Sequence, residues 1–190
     1  GVSNGLTDLG YVTFIDDPSE NEITSIIENY EVVFTNPNKS KVFLGNKVLA
    51  AATKLKIIVT ASTGTNHIDL NYCKKNNIRV LSLTEERETI NRISSTAEHA
   101  FALTMASLRN IVKSNNHVKK GNWDYEKFIG RQMDGLTIGI IGIGRLGSMY
   151  LKYCKAFCSK IIVFDPYKKN KEKEVKQVNK IEELFPRADV

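Results

Sequence analysis

Three glycines at the spacing Gly-x-Gly-x-x-Gly (Gly142, Gly144 and Gly147), with Asp165 closing the next apolar run, are the residues best placed to do chemistry. The apolar run Ile138 to Ile143 leads into them. Leu146, Tyr150, Tyr153, Cys154 and Phe157 follow at helical spacing, and Ile161-Ile162-Val163-Phe164 then ends on Asp165. The order is strand, glycine turn, helix, strand, acid, and each piece has a reason in dinucleotide binding. Gly142 permits the tight turn, Gly144 lets a pyrophosphate approach the backbone, and Gly147 lets the helix lie close to the strand. The helix then turns its free N–H groups and positive dipole end toward the phosphates. Asp165 is placed to accept hydrogen bonds from the adenosine ribose hydroxyls. A glycine turn alone is weak evidence. With the strand before it and the acid after it, the signal is specific, and a turn that binds nothing is the lesser alternative.

The rest of the chain must position this unit. Its 190 residues are 42% hydrophobic and 25% charged, with four prolines, as in an ordinary globular protein. No apolar run approaches the ~20 residues of a membrane span, and the first residues lack the pattern of a signal peptide. Cys73, Cys154 and Cys158 lack Cys-x-x-Cys spacing, so they read as reduced thiols in a cytoplasmic protein. Cys154 and Cys158 sit one helical turn apart, facing a core, and no metal site is expected. The net charge of +6 suits an anionic cofactor and substrate. The mixed run Lys168 to Lys176 reads as a solvated loop, and the scattered basic residues do not form a nucleic-acid surface.

In chain order, Tyr11 to Ile15 reads as a strand, and Ser19 caps a helix carrying Ile23, Ile26 and Ile27. Val32-Val33-Phe34 is the next strand. A helix through Val48 to Ala52 leads to strand Lys56 to Thr60. The polar loop Ala61 to Asp69 opens another helix, and strand Ile78 to Leu81 follows. This alternation predicts an α/β fold of parallel sheets with helices on both faces. Thr96 to Val112 reads as one long helix, apolar on nearly every side and therefore buried, joining two domains whose boundary lies near residue 93. Ile181 to Phe185 reads as a short helix closed by Pro186, and Arg187 to Val190 as the entrance to another strand.

Three stretches, STGTNHIDL (62 to 70), STAEHAFALTMASLRN (95 to 110) and GLTIGIIGIGRLGS (135 to 148) with VFDPY (163 to 167), resemble the D-isomer-specific 2-hydroxyacid dehydrogenases. The resemblance covers roughly residues 11 to 190. It implies a flavodoxin-like substrate domain (residues 1–93) followed by an incomplete Rossmann-type NAD-binding domain (residues 94–190). It also implies hydride transfer between NADH and a 2-keto acid at the domain cleft. The loop Ser62-Thr63-Gly64-Thr65 would offer backbone N–H groups to the substrate carboxylate, and small residues with a glycine before a helix suit an anion nest. A plain helix-capping loop is the alternative there. Thr96 matches the position near the nicotinamide and its ribose. Arg145 and Leu146 match the pair whose backbone meets the pyrophosphate, and Asp165 matches the ribose acid. That acid favours NAD over NADP, although Lys168 and Lys169 soften the preference.

The family also uses an Arg to hold the substrate, and a His proton donor with a Glu partner that raises its pKa. All three are expected beyond residue 190, so no catalytic residue is assigned in this segment, which alone is expected to be inactive. His67 lies in the helix-opening loop, away from the proton donor's place. His99 reads as a core histidine and His117 as a solvated one. Of the family's usual opening strand and helix only a remnant, Leu6 to Leu9, is present, and an unpaired apolar sheet edge predicts poor solubility of the segment alone. The resemblance further implies a homodimer through the NAD-binding domain, with the loop around Trp123 contributing. The alternatives are a non-catalytic NAD-sensing corepressor of the same fold and a formate- or phosphite-type dehydrogenase.

Overall fold

A computed structural model describes residues 2–157 and 159–190, with side-chain surroundings described from residue 5 onward. Cys158, expected to face a core beside Cys154, lies outside the described residues. The chain divides into two compact units, Gly1–Ile90 and Asn91–Val190.

The first unit opens with α1 (Val2–Thr7) and α2 (Glu20–Ile26). Ser19 starts α2 with a capping box, its hydroxyl accepting the Glu22 N–H while the Glu22 carboxylate accepts the Ser19 N–H. Strands β1 (Val32–Thr35), β2 (Ile57–Thr60) and β3 (Arg79–Ser82) form a parallel sheet in that order, with α3 (Asn46–Ala51) and α4 (Leu70–Lys75) as the crossovers. The register sets Ile58 between Val33 and Val80. Ile58 is buried with Ile27, Leu44, Val48, Leu49, Ile68 and Cys73. A strand buried this way is a short β-branched run with no polar alternation, which is how β2 reads. Asp69 caps α4 by accepting the Tyr72 N–H.

The expected strand at Tyr11 to Ile15 does not form: these residues are irregular, and Tyr11, Phe14 and Ile15 are exposed. Their alternation suits a strand, but strand state requires a neighbour to complete the ladder. Among the described residues no backbone pairs with them. The segment is fastened instead through Thr13, whose hydroxyl lies 2.6 Å from that of Tyr30.

Helix α5 (Arg87–Asn91) leads into the second unit. The expected single helix from Thr96 to Val112 is two: α6 (Ser95–Leu108) and α7 (Ile111–Lys119), separated by Asn110 in the left-handed conformation at φ 53°. The expectation of burial on several sides also fails. Only Ala97 of α6 is buried, while Leu103, Ile111 and Val112 are exposed. Phe101, Met105 and Leu108 form the one stripe that packs, meeting Tyr150 and the core of Ile138, Leu151, Cys154 and Val163.

Strand β4 (Thr137–Ile141), α8 (Arg145–Ala156) and β5 (Lys160–Phe164) form the expected strand–turn–helix–strand unit, in parallel register from Thr137 opposite Lys160 to Ile141 opposite Phe164. Part of the mixed-charge run is ordered beyond a loop: Val175 is buried, and β6 (Lys176–Gln177) pairs with β5. Two 3-10 turns, Ile181–Glu183 and Phe185–Arg187, replace the expected helix near the end. The last residues do run beside β4. The Asp189 N–H donates to Thr137 and the Gly139 N–H to Val190. A Cβ on Gly139 would stand 2.6 Å from Leu184 and 2.8 Å from Ala188, so the glycine admits this close approach.

Candidate functional site

Within the second unit, Gly142 leaves β4 at φ +88°, where side chains are strained, and its N–H donates to Phe164 at 2.7 Å. A Cβ on Gly147 would collide with the Gly142 carbonyl, so only glycine lets α8 start this close to the strand. Gly144, Arg145, Leu146 and Gly147 therefore share one turn, with Gly144 as the N-terminal cap of α8. Among the described residues no acceptor meets the N–H groups of Gly144, Leu146 or Gly147. A cluster of free N–H groups at the start of a twelve-residue helix is an anion-binding surface.

Asp165 faces the same turn. Its Oδ2 accepts the Ile143 N–H at 2.8 Å, and its Oδ1 accepts the Tyr167 and Lys168 N–H groups, each at 2.8 Å. The Tyr167 bond first, then those from Ile143 and Lys168, hold its carboxyl below the usual range, so it is charged at neutral pH. Oxygens accepting one or two N–H groups keep lone pairs for further donors. Thr96 is exposed in the first turn of α6. The Arg145 guanidinium donates to the Ile93 carbonyl at 2.5 Å, fastening the chain just ahead of α6 to the glycine turn.

In the first unit, the loop Ser62 to Thr65 leaves the buried end of β2. Each of its four carbonyls is taken from within: Ser62 O by the Leu83 N–H (3.1 Å), Thr63 O by the Thr84 hydroxyl (2.9 Å), Gly64 O by the Ser62 hydroxyl (2.6 Å) and Thr65 O by the Ile68 N–H (3.0 Å). The N–H groups of Thr63, Gly64 and Thr65 have no acceptor among the described residues. A loop whose carbonyls all bond inward while its N–H groups stay free carries a positive local potential without any charged side chain. Unpartnered N–H groups on three successive residues are donors that a small carboxylate could use.

The histidines fall differently from expectation. His99 is exposed on α6, not in a core. His117 is half-buried against Phe128, at 5.0 Å between ring centres, with Nε2 enclosed and unpartnered, so it is not solvated. His67 is half-buried, 3.2 Å from the Thr60 hydroxyl, and burial lowers its pKa. Sequence reasoning missed Thr60, the one buried polar residue of the first unit among the described residues. It reads as one more β-branched strand residue, and only the fold shows it meeting both Ser62 and His67. Cys154 is fully buried and its thiol is pushed up to about 11. Among the described residues no cluster of potential metal ligands occurs, and no helix is long and apolar enough to cross a membrane.

Two family models match the chain: the catalytic domain of D-isomer specific 2-hydroxyacid dehydrogenases over residues 4–116, and the NAD binding domain of the same enzymes over residues 101–190. A formate dehydrogenase of Neurospora crassa is 32% identical over 100% of this chain and 52% of its own length. A D-3-phosphoglycerate dehydrogenase of Archaeoglobus fulgidus is 36% identical over 78% of this chain and 27% of its own. Among solved structures, the D-lactate dehydrogenase of Aquifex aeolicus, complexed with NAD and lactic acid, superposes with a TM-score of 0.74 at 31% identity, over 90% of this chain and 49% of that one. The chain thus spans about half, or less, of the length of these relatives.

Proposed function

Because the chain belongs to the D-isomer-specific 2-hydroxyacid dehydrogenase family, we propose that the intact protein is an NAD-dependent oxidoreductase interconverting a 2-keto acid and a D-2-hydroxy acid. The observation that carries this reading is the pair of N–H sets without an acceptor among the described residues, one at Thr63 to Thr65 and one at the start of α8. Each suits one anionic end of the reactants: a substrate carboxylate and a cofactor pyrophosphate. Hydrogen bonds to a charged acceptor contribute roughly 1.5–3 kcal/mol each. Two or three of them match the ~4 kcal/mol of a millimolar Kd.

The residues fit the cofactor: Gly142 takes a φ of +88° that side chains strain to adopt, Gly147 lets α8 start against the Gly142 carbonyl, and the space over Gly142 and Gly144 is open to a phosphate. Gly144, Arg145, Leu146 and Gly147 would hold the pyrophosphate through their backbone, Asp165 the adenosine ribose, and Thr96 the nicotinamide side. When bound, the nicotinamide supplies or accepts the hydride. The charged Asp165 carboxylate repels a 2′-phosphate and so favours NAD. Ser62, Thr63, Gly64 and Thr65 would orient the substrate by its carboxylate. No proton-donor role is assigned to His67 or His117, which are turned to internal neighbours; the His, Glu and Arg that such chemistry needs are proposed to belong to the intact protein.

A formate dehydrogenase is the second reading, favoured by the 32% identity to the Neurospora crassa enzyme along this whole chain. The named relatives are dehydrogenases, so the corepressor reading is not carried forward. Self-association is proposed through α7 and the following loop, where Ile111, Val112, Val118, Trp123 and Tyr125 are exposed. A cytoplasmic location is proposed with it, in keeping with the buried free thiols Cys73 and Cys154.

The test is a panel assay on the natural full-length protein. NADH oxidation is followed with a series of 2-keto acids, and NAD reduction with formate. Turnover of a keto acid supports the first reading and turnover of formate alone the second; turnover of neither contradicts both.

A further inference from the structure

We propose that His67 is a positioning residue, which sets the Ser62 to Thr65 loop for carboxylate binding through a directed hydrogen-bond chain running His67–Thr60–Ser62–Gly64. The inference rests on the reading of that loop as the substrate-carboxylate site.

The direction of the chain follows from its far end. The Gly64 carbonyl can only accept, so the Ser62 hydroxyl, 2.6 Å away, donates to it. Having spent its one hydrogen, Ser62 Oγ accepts from Thr60 Oγ1 at 3.0 Å. Thr60 Oγ1 has then spent its own hydrogen and accepts from His67 Nε2 at 3.2 Å. The ring therefore carries its proton on Nε2. The remaining nitrogen, Nδ1, is enclosed without a partner. A proton there would be a buried donor with no acceptor, whereas a bare lone pair is the less costly state.

His67 and Thr60, the first two members of the chain, are each anchored to the fold. The His67 carbonyl accepts the Leu44 N–H at 2.8 Å, and the Asp69 N–H donates to the Leu44 carbonyl at 3.0 Å, so the ring projects from a segment bound to a buried residue. Thr60 is the last residue of β2 and is 1% exposed. Between them the loop is held by the backbone bonds at Ser62 and Thr65, and the hydrogen-bond chain adds the contact that fixes the Gly64 carbonyl. Hydrogen bonds in series polarise one another, so the chain behaves as a unit. Its effect is to hold the Gly64 carbonyl inward. A trans peptide whose carbonyl is held in this way turns its other side, the Thr65 N–H, away from that bond and leaves it free to donate. His67 thus acts on the substrate through Ser62 and Gly64 and does not itself touch it.

The experiment uses the natural full-length protein with the substitutions Thr60→Val, His67→Leu, His67→Asn and His67→Gln. Thr60→Val keeps the shape and deletes the middle hydroxyl. Gln places an N–H near the position of Nε2, while Asn reaches only to that of Nδ1. The expected result is a KM for the best keto acid raised about tenfold in Thr60→Val, His67→Leu and His67→Asn. The turnover number and the KM for NADH stay within about twofold, and His67→Gln restores the keto-acid KM. The double variant Thr60→Val/His67→Leu is no worse than either single one, because both break the same chain. A nitrogen-15 spectrum of the His67 ring shows the Nε2–H tautomer in the unsubstituted protein. The proposal is overturned by an Nδ1–H tautomer, by an unchanged keto-acid KM in Thr60→Val, or by a KM for NADH that rises in step. If the unsubstituted protein turns over neither keto acids nor formate, the functional reading has failed, and pyruvate binding decides the inference separately. Amide shifts at Thr63 to Thr65 on adding pyruvate that weaken in Thr60→Val support it, and their absence from the unsubstituted protein overturns it.

Discussion

The carboxylate of Asp165 accepts the N–H of Ile143 at 2.8 Å, joining the end of β5 to the middle of the glycine turn. One side chain therefore shapes the phosphate-facing turn and offers the charge proposed to meet the ribose. Asp165→Asn would put an amide NH2 or a single neutral oxygen where Ile143, Tyr167 and Lys168 all need acceptors. We expect NADH to bind about tenfold more weakly, roughly 1.4 kcal/mol, and the preference over NADPH to shrink. Titration of both nucleotides by protein fluorescence measures this. Equal affinity for NADH before and after the substitution would remove Asp165 from the site.

The glycines of the turn fail for different reasons, and the difference is measurable. Gly147→Ala drives a methyl group into the Gly142 carbonyl, so α8 must shift, at roughly 1–3 kcal/mol, the usual cost of overpacking. Gly142→Ala has open space for its methyl but sits at φ +88°, and costs about 1–2 kcal/mol of backbone strain. Denaturant melts of both variants should show losses of this size. Only Gly147→Ala should abolish NADH binding outright, because it displaces the helix N-terminus.

Acid sensitivity is expected from His67, with a definite sign. Burial lowers its pKa below the ordinary 6.5, so the unfolded chain takes up this proton more readily than the folded one. The stability His67 confers is complete above about pH 6.5 and declines as the pH falls from there through the lower folded pKa. Comparing urea midpoints of the unsubstituted protein and His67→Gln across pH 5 to 8 tests this. The two curves should part below pH 6.5 and run parallel above it.

Cys154 is expected to be inert in the folded protein. It is fully buried, and its thiol is raised to about 11, so almost no thiolate exists at neutral pH. Alkylation followed by peptide mass mapping should leave Cys154 unlabelled until denaturant unfolds the second unit. Rapid native labelling would contradict the packing of α8 on β4.

The features legible in the sequence are those fixed by local spacing. The run from β4 through the glycine turn and α8 to Asp165 is continuous in the chain, and each residue type there is demanded by a backbone angle or a close approach. The strands β1 to β3 were likewise readable as short apolar runs, and the Ser19 capping box was anticipated through its cap. What could not be read depends on distant partners. Tyr11 to Ile15 has the composition of a strand but, among the described residues, no strand to pair with. The long helix breaks because Asn110 adopts the left-handed conformation, an option open to asparagine but not signalled by it. The apolar neighbours of His99 in sequence suggest a core and the polar neighbours of His117 suggest solvent, whereas burial is set by what packs across from each. Thr60 gave no signal, because its importance lies in joining Ser62 to His67.

The most direct test of the central claim is a crystal structure of the full-length protein with NAD and oxamate, an unreactive mimic of a 2-keto acid. The account predicts the pyrophosphate on the N–H groups of Gly144 to Gly147, the adenosine ribose on Asp165, and the oxamate carboxylate on the N–H groups of Thr63 to Thr65. A nucleotide bound away from the glycine turn, or a carboxylate held elsewhere while that loop stays empty, would contradict it.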